Sequence, residues 1–175
     1  MLDGIHKIHL IGIGGSGMRA IANILIQKGY DVSGSDVAES AVISKFREMG
    51  ATVHIGHNKE YVNGVDAVVR STAIREDNPE IIAAKEQGIT ILHRSDIVKA
   101  VLDVTDGIAV AGAHGKTSTT SMIGQILVEA DADPTVIIGG EVDYLKGSSC
   151  LGKGDRKSTR LNSSHRSLSR MPSSA

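Results

Sequence analysis

Aromatic residues are almost missing from this chain: there is no Trp, one Phe and three Tyr, 2% of 175 residues in all. Stacking of bases on aromatic platforms is an unsuitable mode of nucleic-acid binding for such a chain, and Val, Ile, Leu and Ala must fill its core. Cysteine is nearly absent as well. Cys150 stands alone, so no internal disulfide and no cysteine-built zinc cluster is possible, which suits a reducing compartment. It lies in Ser148-Ser149-Cys150-Leu151 without an activating neighbour and reads as an inert thiol. No stretch approaches the roughly 20 apolar residues of a membrane span, and Met1 to His6 lacks the basic segment and apolar run of a secretory leader. The expectation is a cytoplasmic protein with no membrane partner and no nucleic-acid partner.

Neither sign of charge is in excess, with 19 basic and 20 acidic residues and a formal net charge of −1. That balance hides an uneven distribution. Residues 156–175, RKSTRLNSSHRSLSRMPSSA, hold four Arg, one Lys, no acid and many Ser, with no helical or strand period. Without them, 14 basic residues face 20 acidic ones, a net of about −6 by the same count. The shift is abrupt and interrupts what reads as the middle of a domain. The segment resembles a translated cloning or sequencing adaptor joined to an interrupted gene, so it is expected to be a non-native, disordered tail and is set aside.

Glycine, by contrast, is plentiful at 20 residues, and two glycine-rich loops stand about a hundred positions apart. The first is Gly12-Ile13-Gly14-Gly15-Ser16-Gly17. It follows the strand-like Lys7 to Ile11 and opens a helix-like run, Met18 to Ile26, the context that a dinucleotide-type loop requires. Glycines at 12, 14 and 17 suit a tight turn, close approach of a diphosphate and close packing of helix on strand. A second strand, Asp31 to Ser35, ends at Asp36, where an acidic side chain can accept hydrogen bonds from a ribose. NAD, FAD or a nucleotide-diphosphate sugar would all satisfy that arrangement.

The second loop, Gly112-Ala113-His114-Gly115-Lys116-Thr117, follows Gly107 to Ala111 and ends as a P-loop does. Backbone N–H groups there wrap phosphate oxygens, Lys116 reaches the terminal phosphates and Thr117 holds Mg²⁺. The pattern is GxxGKT instead of GxxxxGKT. Thr119, Thr120 and Ser121 are expected in the first turn of the following helix, and Met122, Ile123, Ile126 and Leu127 recur at helical spacing. ATP is the expected ligand.

Between the loops strands and helices alternate: helix 41–49, strand 52–55, strand 66–70, a helix starting at Asn78-Pro79, strand 90–93 and helix 96–102. The fold class is α/β. A Rossmann-like parallel-sheet domain is expected over 1–104, the start of a P-loop ATP-binding domain over 105–155, and the tail over 156–175. In a parallel sheet ligands gather at the carboxyl ends of strands. Ser71, Thr72 and Ala73 after one strand, and His93 and Arg94 after another, fall there, and Arg94 can pair with a carboxylate or phosphate. His54 and His57 lack an acidic or cysteine partner at metal-ligand spacing and read as structural.

The series GIGGSGM, VSGSD, STAI followed by DNPE, AGAHGKTSTTSM, IIGGEV and LGKGD resembles the Mur ligases over residues 5–155. The resemblance implies an ATP-dependent amide ligase of peptidoglycan synthesis, in which the shortened P-loop is the normal form. Gly14, Gly15, Ser16 and Gly17 would meet the diphosphate of UDP-N-acetylmuramate, with Asp36, Ser71 and Arg94 on the same ligand. Gly112, Ala113, His114, Gly115, Lys116, Thr117 and Ser118 would bind MgATP, with Lys116, Thr117 and His114 as catalytic residues and Thr117 on the Mg²⁺. The γ-phosphate would pass to the lactyl carboxylate, and L-alanine would attack the acyl phosphate. The rest of the central domain and a third domain that selects the amino acid are missing from this pattern, so the chain is expected to be an inactive fragment. A ligase that recycles a tripeptide onto the same sugar shares both loops, and a nicotinamide-dependent dehydrogenase is a third reading. Ala113 stands where relatives often carry Thr.

Overall fold

The computed structural model describes residues 2–102, 107–142, 147–150, 152 and 160–163. Five strands, β1 (Lys7–Ile11), β2 (Asp31–Asp36), β3 (Thr52–Ile55), β4 (Ala67–Arg70) and β5 (Thr90–His93), form one sheet in the order β3-β2-β1-β4-β5. Every pairing in it is parallel. A parallel sheet is covered on both faces and its strands read as apolar runs, which is why Ile8, Leu10, Ile11, Val68 and Val69 are fully buried in β1 and β4.

Helices α1 (Ser16–Gln27), α2 (Ala41–Glu48), α3 (Pro79–Glu86) and α4 (Arg94–Leu102) alternate with these strands, with a short 3-10 turn at Lys59–Val62 between β3 and β4. The core beside β1 and β2 joins Ile21 and Leu25 of α1 to Ile43 and Phe46 of α2. Each fully buried Leu or Ile there contributes about 1.5–3 kcal/mol. On the other side Ile11 and Val68 pack with Val62 and with Ile81, Ala83 and Ala84 of α3. Two short helices are closed by side chains: Ser40 Oγ accepts from the Ile43 N–H at 3.4 Å, and Asn78 Oδ1 from the Glu80 N–H at 2.9 Å. Asn78 precedes Pro79 at the first helical position, where the missing N–H costs nothing. At the base of the sheet Asp66 Oδ2 accepts from the His6 and Lys7 N–H groups, each at 2.8 Å.

Strand β6 (Gly107–Val110) leads through the second glycine loop into helix α5 (Lys116–Glu129), and β7 (Thr135–Val142) follows. The sequence-based strands and helices recur with small differences: α5 begins at Lys116, so Thr119 closes its first turn while Thr120 and Ser121 lie beyond it. Of its apolar stripe, Ile123 and Leu127 pack on Val136 and Ile138 of β7, whereas Met122 and Ile126 are exposed.

The second sheet has the order β6-β9-β7-β8, with β8 at Gly147–Cys150 and β9 at Arg160–Ser163. Neither was expected, and β9 corrects the reading of 156–175 as wholly without strand. It lies parallel to both β6 and β7, pairing Ile108 with Leu161 and Val136 with Leu161. Strands β6 and β7 stand one strand's width apart, and their facing N–H and C=O groups draw in a segment that its own residue pattern does not mark. Residues 103–106, where the domain boundary is expected, lie outside the described residues, as do 153–159 and 164–175 of the terminal segment. The two sheets meet through α1, whose Ala20 and Ile24 pack on Ile137.

Candidate functional site

The strand order reverses between β1 and β4, and a cavity of about 1190 Å³ opens there at the carboxyl ends of the strands, the usual ligand position of an open α/β sheet. Gly14, Gly15, Ser16, Gly17, Asp36, Ser71 and Arg94 all line it, as do Thr72, Ala73 and His93. These residues come from four separate chain segments, and the fold brings every one of the first-loop candidates together.

The loop turns at Gly12, whose φ of +72° is a left-handed conformation that favours glycine. The Gly12 and Ile13 N–H groups donate to Ser35 O at 2.8 and 3.0 Å, tying the loop to β2. Asp36 acts on the same loop: its Oδ2 accepts from the Gly14 N–H and its Oδ1 from the Val37 N–H, each at 2.8 Å. Its carboxylate therefore shapes the loop in this structure, in addition to any ribose contact. It is not a cap for α2, a position held by Ser40.

The glycines also serve differently from the expectation. A Cβ at Gly14 would lie 2.9 Å from Asp36 Oδ2. A Cβ at Gly17 would overlap Arg94 Nη1 and lie 2.9 Å from its Cζ, so the third glycine clears a guanidinium instead of β1. The close approach of loop to strand is made at Gly34 in β2, where a Cβ would fall 2.8 Å from Ile13 Cδ1 and 2.9 Å from Leu10 O.

Gly15 stands at the N-cap of α1 and Gly115 at that of α5, so neither helix has a side-chain cap. In this they differ from α2 and α3. The unpaired N–H groups and positive dipole end of each are left for an anion. Around the first, Arg94, Arg19 and Lys99 line the cavity as cations, and Arg19 Nε donates to Gly14 O at 2.7 Å.

Gly115 holds φ +78°, and a Cβ there would meet nothing within 4 Å, so its glycine is set by backbone conformation and not by crowding. Lys116 Nζ donates to Gly112 O at 2.5 Å and to Ala113 O at 3.0 Å, folding the ammonium over the loop. Ala113, His114, Thr117 and Ser118 are exposed around it. This second loop does not line the first cavity.

Sequence reasoning missed a buried polar cluster beneath the cavity. Glu80, fully buried at the start of α3, accepts through Oε2 from Ser35 Oγ at 2.7 Å and through Oε1 from the Asn58 N–H at 3.2 Å. His57 Nδ1 lies 3.3 Å from Glu80 Oε1 and 3.2 Å from Ser35 Oγ. His9, also buried, has Nδ1 2.9 Å from Ser33 Oγ; its Nε2 is 3.4 Å from Glu80 Oε2, near enough for charge attraction but outside hydrogen-bond alignment. Burial pushes the Glu80 carboxyl up, but the contacts from His9 and Ser35 and the charges of His9 and His57 outweigh it and hold the acid below its ordinary range. His57, read as structural, lines the cavity. His54 does not; it stacks on Tyr61 at 4.0 Å, and burial followed by the charge of His9 holds its pKa down. No group of three or more His, Cys, Asp or Glu among the described residues is arranged to hold a metal. Nor is any helix among them long and apolar enough to cross a membrane.

A parallel α/β sheet with a cleft at its switch point and a glycine loop on an uncapped helix defines a protein of the Rossmann-like class. Residues 7–104 match the model described as Mur ligase family, catalytic domain, and the chain belongs to that family. It is 46% identical over 155 residues to a UDP-N-acetylmuramate–L-alanine ligase of Solidesulfovibrio magneticus, covering 89% of this chain and 34% of that protein. The chain thus spans about a third of the length of the curated relatives it matches. Among solved structures, the UDP-N-acetylmuramate-alanine ligase of Thermotoga maritima superposes with a TM-score of 0.81 at 32% identity, over 90% of this chain and 37% of that one. A UDP-N-acetylmuramate:L-alanyl-gamma-D-glutamyl-meso-diaminopimelate ligase from Neisseria meningitides gives the same TM-score at 26% identity, over 90% and 52%.

Proposed function

We propose that this chain supplies the nucleotide-sugar site and the ATP loop of a ligase that joins L-alanine to UDP-N-acetylmuramate, acting in the cytoplasm. The observation that carries the reading is the pair of glycine loops, each opening a helix without a side-chain cap, within a chain of this family. Residues 1–104 form the UDP-sugar unit and 105–155 begin the ATP unit; 156–175 are non-native in origin, although β9 within them pairs with β6 and β7.

In the first unit the diphosphate sits over the loop Gly14, Gly15, Ser16 and Gly17, on the Ser16 and Gly17 N–H groups, while those of Gly14 and Gly15 are bound to Asp36 Oδ2 and Gly12 O. Arg94 lies over Gly17 and neutralises it. Ser71 closes the cavity from the β4 side, and Asp36 holds Gly14 in place for the ligand while its remaining lone pairs face the ribose.

The second loop suits MgATP on three counts: the left-handed Gly115, the open space above it, and a Lys116 ammonium that among the described residues is held by two carbonyls. ATP supplies a phosphoryl group that turns the lactyl carboxylate, a poor electrophile, into an acyl phosphate; ADP leaves first and phosphate leaves when the alanine amine attacks. Lys116 turns from Gly112 O to the transferred phosphoryl oxygens, Thr117 holds Mg²⁺ with its exposed hydroxyl, and Gly112, Ala113, Gly115 and Ser118 offer the cradle. His114, exposed on the loop, reaches the γ-phosphate or the carboxylate.

The equal TM-score of the Neisseria structure keeps the tripeptide-joining ligase as a second reading, since both share the architecture described. Calorimetric titration of the chain with UDP-N-acetylmuramate and NADH tests the site itself. Binding of the UDP sugar is expected. Preference for NADH would overturn both ligase readings in favour of a dehydrogenase.

A further inference from the structure

We infer that Glu80 is a positioning residue that locks His57 in one tautomer, so that the cavity reads the N3–H of a uracil ring and refuses cytosine. The inference rests on the UDP-sugar reading above and adds a basis for base selection.

The hydroxyl of Ser35 has one proton, and its 2.7 Å contact with Glu80 Oε2 uses it. Both groups facing His57 Nδ1 are then acceptors: Ser35 Oγ at 3.2 Å, through its lone pairs, and Glu80 Oε1 at 3.3 Å. A lone pair on Nδ1 would meet only other lone pairs. The proton of the neutral ring is therefore on Nδ1, and Nε2 carries the lone pair.

Glu80 is fixed in this role by its setting. It is fully buried, its Oε1 is also bound by the Asn58 N–H, and its own N–H is held by the Asn78 cap, so the carboxylate has no freedom to turn away. His57 has its Nδ1 edge toward this pair and its ring, 23% exposed, against the cavity, which gives the Nε2 lone pair to the ligand.

The position of His57 says which part of the ligand it meets. It follows β3, the strand beyond β2 and Asp36, while the phosphate-binding N–H groups follow β1. A nucleotide laid across these strand ends puts diphosphate over β1, ribose near Asp36 and base toward β3. A uracil ring has a single N–H donor, at N3; cytosine has a lone pair at the same atom. An acceptor at Nε2 thus pairs with the first and repels the second.

The test uses UDP and CDP as probes on the whole chain, with long-range nitrogen–proton NMR of the imidazole, the His57 signal being assigned by its loss in His57→Gln. The unaltered chain should show His57 protonated at Nδ1 and should bind UDP at least about tenfold more tightly than CDP. Glu80→Gln, whose carbonyl oxygen keeps the Asn58 N–H and whose amide nitrogen donates to Ser35 Oγ, frees the Ser35 proton for Nδ1 and should move the ring proton toward Nε2 and abolish the preference, chiefly by weakening UDP. If Glu80→Gln does not fold, His57→Gln, whose amide turns either way, must lose the preference in its place. His57 protonated at Nε2 in the unaltered chain, equal UDP and CDP affinities there, or a preference that survives these variants would overturn the inference while leaving the UDP site intact. Failure of the unaltered chain to bind either nucleotide would overturn the site reading and this inference with it.

Discussion

Replacing Gly17 and Gly34 by alanine, one at a time, separates the two services that glycine gives this loop. At Gly34 the added methyl would lie 2.8 Å from Ile13 Cδ1, 2.9 Å from Ile13 Cβ and 2.9 Å from Leu10 O, and both Leu10 and Ile13 are fully buried. A backbone oxygen inside a paired sheet cannot retreat, so the core must give. Overpacking of that kind costs about 1–3 kcal/mol, less the ~0.5–1 kcal/mol that alanine returns by restricting the unfolded chain. The midpoints leave about 1.25 kcal/mol, and at about 2–4 °C per kcal/mol for a chain of this size the melting temperature of Gly34→Ala should fall by roughly 2.5–5 °C. At Gly17 the neighbour is the far end of Arg94, which can swing away, so stability should stay within about 0.5–1 kcal/mol of the parent. The effect appears in binding instead. Losing one charge-assisted contact of about 1.5–3 kcal/mol should weaken UDP roughly ten- to a hundredfold. Thermal melts paired with UDP titrations give both numbers for both variants. A Gly17→Ala protein that melts as early as Gly34→Ala and binds UDP normally would refute the assignment of Arg94 to the diphosphate.

Lys116→Ala should abolish ATP binding, followed with a fluorescent ATP analogue, while UDP affinity stays within about twofold, because the second loop does not line the first cavity. Leu25→Ala empties a fully buried site between α1 and the sheet and should cost about 2–5 kcal/mol in denaturant unfolding. Glu80 gives a pH signature. Its folded pKa lies below the ordinary 4.5, so its stabilising effect is complete above that value and fades as pH falls through the lower folded one. Acid unfolding followed by circular dichroism should steepen below about pH 4.5 in the parent, and Glu80→Gln, less stable at pH 7, should lack that added slope.

The strands of the first sheet were legible because β-rich apolar runs bounded by glycine and asparagine leave little alternative. Asn78-Pro79 marked the start of α3 for the same local reason. Both glycine loops were legible from spacing, and the cavity gathers every first-loop candidate. What escaped is what depends on pairs distant in sequence. His57 and Glu80 are 23 positions apart, Ser35 and Glu80 are 45, and no local pattern joins them. The contact of Arg94 with Gly17 spans two helices on different strand ends and inverts the expected use of that glycine. Strand β9 escaped because its pairing is dictated by the neighbouring edges of β6 and β7, not by Arg160 to Ser163 themselves.

Helix α1 belongs to both sheets. Its first turn opens at the cavity without a side-chain cap, and one turn further along Ala20 and Ile24 bear on Ile137 of β7. With 12 residues it is a stiff rod about 18 Å long. Swivelling the β7 sheet about the first one must either peel two well-buried side chains off their seat or drag the rod, and the glycine loop at its tip, along with it. Movement between the sheets and the shape of the glycine-loop cavity in this molecule are mechanically one degree of freedom.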